Sequence, residues 1–320
     1  MPATARSEFF SPTLGPMRAF DRLSGKRGDT NFLSTARNDA RARTTVLVDL
    51  KPAVSAAGAS GAIELIWLSR TDLASAGLDQ REQAFLGVDE AGRPHFSIAI
   101  AGHELPKQAA RLLPPECFAE LRALAVAGQI SPTELSIAGE ARALAEWHRT
   151  HPCCSRCGAQ TKIVDGGWRR HCWACEREHF PRTDPVVIML VTEGDACLLG
   201  HAPRFPGRMF SALAGFLEPG EDIEHAVARE VKEEVGLDVS EVTYLASQPW
   251  PFPHSLMIGC LARAKNRDVT LDPAEIDEVV WADKAAVEQM FAGTHPADII
   301  VPPPYAIAHQ LVQHWRSKHS

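Results

Sequence analysis

The 320-residue sequence has no apolar run approaching the ~18–20 residues that cross a bilayer. It has no excess of positive charge: the formal net charge is -7, which argues against a surface given over to nucleic acid. It has no internal repeat and no low-complexity segment. The first ten residues lack the apolar stretch of a signal peptide, and the closing Arg-Ser-Lys-His-Ser is no peroxisomal tripeptide. Cysteines number eight, and five of them crowd into residues 153–175. The expectation is a cytoplasmic protein with reduced thiols and no membrane partner. At 45% hydrophobic and 23% charged residues the composition is that of a globular protein, long enough for two domains.

Against this background one segment stands out, Gly215 to Leu237. It is a glycine turn followed by a helix beginning near Asp222. At 100° per residue, Ile223, Ala226, Val227, Val231 and Val235 share one face. Glu230 and Glu234 fall inside that face and Glu233 at its edge. An inward carboxylate is costly unless paired or bound to a metal, and carboxylate oxygens suit Mg²⁺ or Mn²⁺. A glutamate-rich surface helix is the plainer reading, but it does not account for three carboxylates on the apolar side. The segment resembles the Nudix box at every fixed position: Gly215, Glu221, Arg229, Glu230, Val231, Glu233, Glu234, Gly236 and Leu237.

Cys154-x2-Cys157 and Cys172-x2-Cys175 are two knuckles with 14 residues between them, as a closed tetrahedral Zn²⁺ site requires. Gly166-Gly167-Trp168 supplies a hairpin turn, so the unit reads as a zinc ribbon. A redox dithiol competes for one such pair but not for two in tandem. Cys153 reads as a bystander; Cys117, Cys197 and Cys260 read as core fillers.

The chain divides into an N-terminal α+β domain over 1–130, a linking helix over 131–152, the ribbon over 153–180 and an α/β/α sandwich over 181–320. Strands are expected at Thr44–Leu50, Ala62–Leu68 and His95–Ile100, with a mobile loop at Ala53–Gly61. Ser131-Pro-Thr-Glu134 reads as a capping box. Further strands are expected at Pro185–Val191, Ala196–Gly200, Phe210–Ala214, Val242–Ser247 and Leu256–Arg263, and closing helices at Lys284–Phe291 and Tyr305–Lys318. Three alternating prolines in Ser247-Gln-Pro-Trp-Pro-Phe-Pro253 disfavour helix and central strand alike. They leave a stiff extended loop that displays Gln248, Trp250 and Phe252 as substrate-binding candidates, since aromatic faces stack on heterocycles and an amide pairs with a carboxamide or base edge.

Ribbon, box and proline loop together resemble the NADH pyrophosphatases of the NudC type, over about residues 131–310. His179-Phe-Pro-Arg182, Asp272-Pro-Ala-Glu275 and Pro302-Pro-Pro304 add to the likeness; residues 1–130 carry no matching motif. The resemblance implies a Nudix fold and a homodimer that splits the diphosphate of NADH or NAD into nicotinamide mononucleotide and AMP, and that also removes NAD caps from RNA. It implies that Glu230, Glu234 and Glu275, with Ala214 beside them, hold more than one Mg²⁺ or Mn²⁺. Glu233 belongs to the same catalytic set. Arg229 orients these glutamates, and Glu221 is the outer box glutamate. Phe216 and Phe180 match positions that sandwich the nicotinamide, the second across a dimer; Gln248, Ser255 and Ala308 match nucleotide-contacting positions. Phe180 stands where the family often has tyrosine. Glu278 is the second choice to Glu275.

The expected chemistry is attack of an activated water on phosphorus, with Glu234 or Glu230 as base. Other readings stay open: a related diphosphate such as ADP-ribose, a nucleotide sensor without catalysis, and an RNA-holding patch at Arg169, Arg170, Arg177 and Arg182 beside Trp168 and Trp173.

Overall fold

The computed structural model describes residues 20–55 and 62–318. The N-terminal decamer and residues 56–61 of the expected mobile loop lie outside them. Two compact units emerge among the described residues: 20–55, 62–182 and 251–254 in one, and 183–250 with 255–318 in the other.

The N-terminal unit holds α1 (Thr30–Asn38), β1 (Arg43–Val48), β2 (Lys51–Pro52), α2 (Arg70–Ala76), β3 (Ala84–Val88), β4 (Pro94–Ile100), α3 (Leu121–Val126) and α4 (Pro132–Thr150). Its sheet runs β2-β1-β4-β3, with β1 and β4 parallel. The expected strand at Ala62–Leu68 is absent. That segment makes only isolated bridges, Leu65 to Val54 and Leu68 to Thr44 among them. The capping box is half formed. Ser131 Oγ accepts from the Glu134 N–H at 3.2 Å, but the Glu134 carboxylate turns away to accept from the Leu65 N–H at 2.6 Å. A buried backbone donor at Leu65 takes the carboxylate that the helix start would otherwise use. Helix α4 belongs to the core of this unit: Ile137, Ala138, Ala141 and Leu144 pack with Leu47, Leu86 and Leu121.

The ribbon is three antiparallel strands, β5 (Lys162–Val164), β6 (Arg169–Cys172) and β7 (Arg177–His179). Gly166 and Gly167 turn with φ of 59° and 91°, where a side chain is disfavoured. A Cβ on Gly167 would also meet that of Ala84 at 2.8 Å. The Trp168 indole donates to the Phe85 carbonyl at 2.7 Å, so the turn is fastened to β3.

The second unit is a mixed sheet ordered β11-β12-β8-β9-β13, with β10 also on β8. Its strands are β8 (Asp184–Glu193), β9 (Ala196–His201), β10 (Leu213–Phe216), β11 (Val239–Trp250), β12 (Ser255–Ala264) and β13 (Glu278–Asp283). Helix α5 (Ile223–Val235) covers one face through Ala226, Val227, Val231 and Val235. The other face packs against α6 (Lys284–Ala292) and α7 (Ile307–Lys318) through Val287, Met290, Leu311 and Trp315. Covering on both faces explains the continuous apolar run of β8 and gives the α/β/α sandwich. Strand β10 starts later than expected, at Leu213, and Ser211 makes only a bridge to Gly200. The proline segment is also a correction. Ser247–Trp250 continues β11, paired to Ile258–Ser255 of β12. Because β11 is an edge strand, Pro249 is tolerated without a ladder donor. Only residues 251–254 turn. They group with the N-terminal unit, where the Arg142 guanidinium donates to the Pro251 carbonyl and lies 5.2 Å over the Phe252 ring.

No helix among the described residues is long and apolar enough to cross a membrane.

Candidate active site

Helix α5 is delimited by its own sequence. The Asp222 carboxylate accepts from the His225 N–H at 2.8 Å, and Gly236 ends the helix at φ 73°. Inside it, Glu230 is 8% exposed and Glu234 only 3%, among valines that are fully buried. Glu233 is exposed.

Arg229 organises the rim. Its Nε and Nη2 donate to the two oxygens of Glu221 at 2.7 and 2.9 Å. Its Nη1 donates to Glu230 and Glu233, both at 2.8 Å, and Nη2 also reaches the Phe216 carbonyl at 2.9 Å. One guanidinium thus ties three box carboxylates to β10. The Arg229 hydrogen bonds, with the Glu218 N–H, hold the Glu221 carboxyl down at about 2. Glu230 is pushed up by burial, against the pull of Arg229. Glu234 is pushed up to about 8, first by burial and then by the charges of Glu230 and Glu275. Arg204 and the Ala214 backbone oppose that rise.

Gly215 shows why the box opens on glycine. A Cβ there would lie 1.8 Å from the Glu230 carboxyl carbon, so the carboxylate occupies the space of a side chain. The segment after β12 brings in Glu275: the Asp272 N–H donates to the Glu234 carbonyl at 3.0 Å and the Thr270 N–H to that of Val235 at 2.9 Å. Glu275 is exposed, and its charge acts on both Glu230 and Glu234. Glu278 is instead engaged by Arg208, at 2.5 and 3.0 Å.

The residues suit a divalent cation on one observation above all: Glu234 Oε2 is buried without a hydrogen-bond partner. A carboxylate oxygen shut from water, near two other carboxylates, calls for a cation.

The four thiols fit zinc more directly. The Sγ pairs Cys154–Cys175, Cys157–Cys172 and Cys172–Cys175 are 3.6, 3.5 and 3.7 Å apart. Sulfurs at ~2.3 Å from a tetrahedral ion stand about 3.8 Å from one another. All four lie within 4.8 Å as a group among the described residues, and Cys153 stays outside it.

The expected substrate residues are spread over both units. Phe216 closes β10 with 58% exposure, and Phe180, in the N-terminal unit, has 63%. Core packing is therefore not the role of either ring. Gln248 is 8% exposed and spends its amide on the fold: it donates to the Tyr305 carbonyl at 2.6 Å and accepts from the Ile307 N–H at 2.8 Å. Trp250 stacks on Tyr305, centroids 5.6 Å apart and planes within 8°. Ser255 faces Trp250 across the strand pair, and Ala308 is buried in α7. Phe252 packs against the N-terminal core. Arg204 and Tyr305 escaped the sequence reading. Tyr305 could have been flagged as one of only two tyrosines; Arg204 has no local signal.

Three family models match successive parts of the chain. The NUDIX domain model matches residues 181–301, the NADH pyrophosphatase zinc ribbon domain 149–180, and the NADH pyrophosphatase-like rudimentary NUDIX domain 41–147. The human NAD-capped RNA hydrolase NUDT12 is 44% identical over 197 residues, covering 58% of this chain and 43% of that protein. Nudix hydrolase 19, chloroplastic, of Arabidopsis thaliana is 36% identical over 305 residues, covering 78% and 69%. The NAD-capped RNA hydrolase NudC of Chromobacterium violaceum is 34% identical over 253 residues, covering 78% and 88%. The chain thus spans less than half of the human relative but most of the bacterial one. With its ribbon, box and rudimentary first domain, the chain belongs to the Nudix hydrolases, in the NADH pyrophosphatase group of the NudC type.

Proposed function

We propose that the protein hydrolyses the diphosphate of NADH and NAD, releasing nicotinamide mononucleotide and AMP, and that it removes NAD caps from RNA. The observation that carries this reading is the buried, unpartnered Glu234 oxygen beside Glu230 and Glu275. The names of the bacterial and human relatives support the substrate class.

Glu230, Glu234 and Glu275 would hold Mg²⁺ or Mn²⁺, with the Ala214 backbone beside them. The bound ions would neutralise the diphosphate and lower the pKa of the attacking water. The water oxygen bonds to one phosphorus as the bridging P–O bond breaks. Glu234 Oε2 or Glu230, held by Arg229, takes the water's proton. Arg229 keeps the carboxylates in register, so that geometry is set before substrate arrives. Phe216 offers a flat exposed face for the nicotinamide. Phe180, equally exposed in its own chain, would serve the site of a second copy, which makes the working form a homodimer. The cysteines would hold one structural Zn²⁺ per chain, and the reduced thiols suit the cytoplasm.

The test is to incubate the protein with Mg²⁺ or Mn²⁺ and NADH, ADP-ribose or NAD-capped RNA, and to resolve the products side by side. Nicotinamide mononucleotide from NADH, and a 5′-monophosphate end from capped RNA, are expected. Turnover of ADP-ribose alone would refute the reading.

A further inference from the structure

Arg204 lies in the turn that joins β9 to β10, and its surroundings give it a defined place. His201 is the anchor. One ring nitrogen meets Asp277 Oδ1 at 2.6 Å and the other the Gly207 carbonyl at 3.1 Å. The Asp277 N–H returns to the His201 carbonyl at 3.1 Å. One histidine therefore pins both the turn that carries Arg204 and the segment that carries Glu275. That segment is in turn hooked to the Glu234 carbonyl through Asp272. Within the turn, the Phe205 N–H bonds the Ala202 carbonyl at 2.8 Å, and the Phe205 ring packs on the core shared with α5. The Arg204 guanidinium lies 5.4 Å from that ring, which limits its freedom.

We propose that Arg204, held at the edge of the carboxylate cluster by the His201-anchored turn, binds the diphosphate oxygens of the substrate. This rests on the diphosphatase reading above. A plain surface arginine is the alternative, but the arginine's charge has a destination. Among the described residues no carboxylate lies within ion-pair distance of it, although its field reaches Glu234. Once cations fill the carboxylate cluster, the remaining anion at this edge is the diphosphate. A guanidinium meets two phosphate oxygens at once, so it can both place the group and stabilise the charge that grows during P–O cleavage.

The experiment compares Arg204→Ala and Arg204→Lys with the wild type on NADH and on ADP-ribose, which share the diphosphate and both riboses and differ in the nicotinamide that ADP-ribose lacks. Mn²⁺ affinity without substrate and the melting temperature are measured on the same samples. For Arg204→Ala, kcat/KM should fall about tenfold to a hundredfold on both substrates, with part of the loss in KM, and Arg204→Lys should recover a share of it. Removing a cation near Glu234 should leave Mn²⁺ bound as tightly as before or more so, with the melting temperature unchanged. A kcat/KM within twofold of wild type, or a parallel loss of Mn²⁺ affinity and thermal stability, would overturn the proposal. A wild type that cleaves ADP-ribose and not NADH would instead refute the NADH reading, while the Arg204 effect stayed measurable on ADP-ribose.

Discussion

At the scale of single residues, the pair Gly215 and Glu230 holds the logic of the site. The carboxylate lies where a Cβ would be, so Gly215→Ala must displace it. A displacement of about 1 Å near reacting groups costs on the order of a hundredfold in rate. Steady-state kinetics on Gly215→Ala should show that loss in kcat, and a near wild-type rate would mean the carboxylate's position is not needed. Phe216 acts differently. Its exposed ring should contribute stacking of about 0.5–1.5 kcal/mol, so Phe216→Ala should lower NADH turnover roughly tenfold. ADP-ribose, which lacks nicotinamide, should suffer much less. Equal losses on both substrates with a lowered melting temperature would contradict this. The inward glutamates were legible because helical periodicity alone assigns them to the buried face. Arg204 was not, because its place depends on His201 meeting Asp277, 76 residues away. Local spacing carries no trace of such a closure.

At the scale of elements, the ribbon gives two predictions. Cys157→Ser should remove one of four thiolates and with it most of the zinc, because a structural ion supplies folding energy directly. Elemental analysis of the wild type should find one Zn²⁺ per chain, and its absence from protein purified without chelator would contradict the assignment. The second concerns His148 on α4. One of its ring nitrogens donates to the Gly167 carbonyl at 2.9 Å, and the other accepts from Arg170 at 3.1 Å. Burial, foremost, pushes this histidine down from 6.5 to about 4. Between those values the unfolded chain binds the proton and the folded one does not. Stability should therefore fall as pH drops from 6.5 towards about 4, by at most about 3 kcal/mol from this group. His148→Gln should flatten that part of the melting profile relative to wild type; identical slopes would show that the group contributes nothing. The edge position of β11 was not legible. Alternating prolines signal extended backbone but not whether a neighbour pairs on one side only.

At the scale of the molecule, the two units share a plan that only the strand pairing reveals. Each sheet has a parallel pair at its heart, β1 with β4 and β8 with β12, flanked by antiparallel strands. The N-terminal unit keeps this frame without the box, which is why its sequence carried no motif to read. Its match to a rudimentary NUDIX domain extends to residue 147 and so takes in most of α4. The box carboxylates lie in the second unit, and Glu234 is the most deeply buried of them. Its buried oxygen has no partner, and the carboxyl is pushed up to about 8, chiefly by burial, which disfavours its charged form. Glu234→Gln should therefore preserve the fold. The most direct measurement is Mn²⁺ binding to wild type and Glu234→Gln by electron paramagnetic resonance, alongside NADH cleavage and a melting curve. An unchanged melting temperature, weakened Mn²⁺ binding and loss of most turnover are expected in the variant. A variant that binds Mn²⁺ as tightly as wild type, or cleaves NADH at a near wild-type rate under saturating metal, would contradict this.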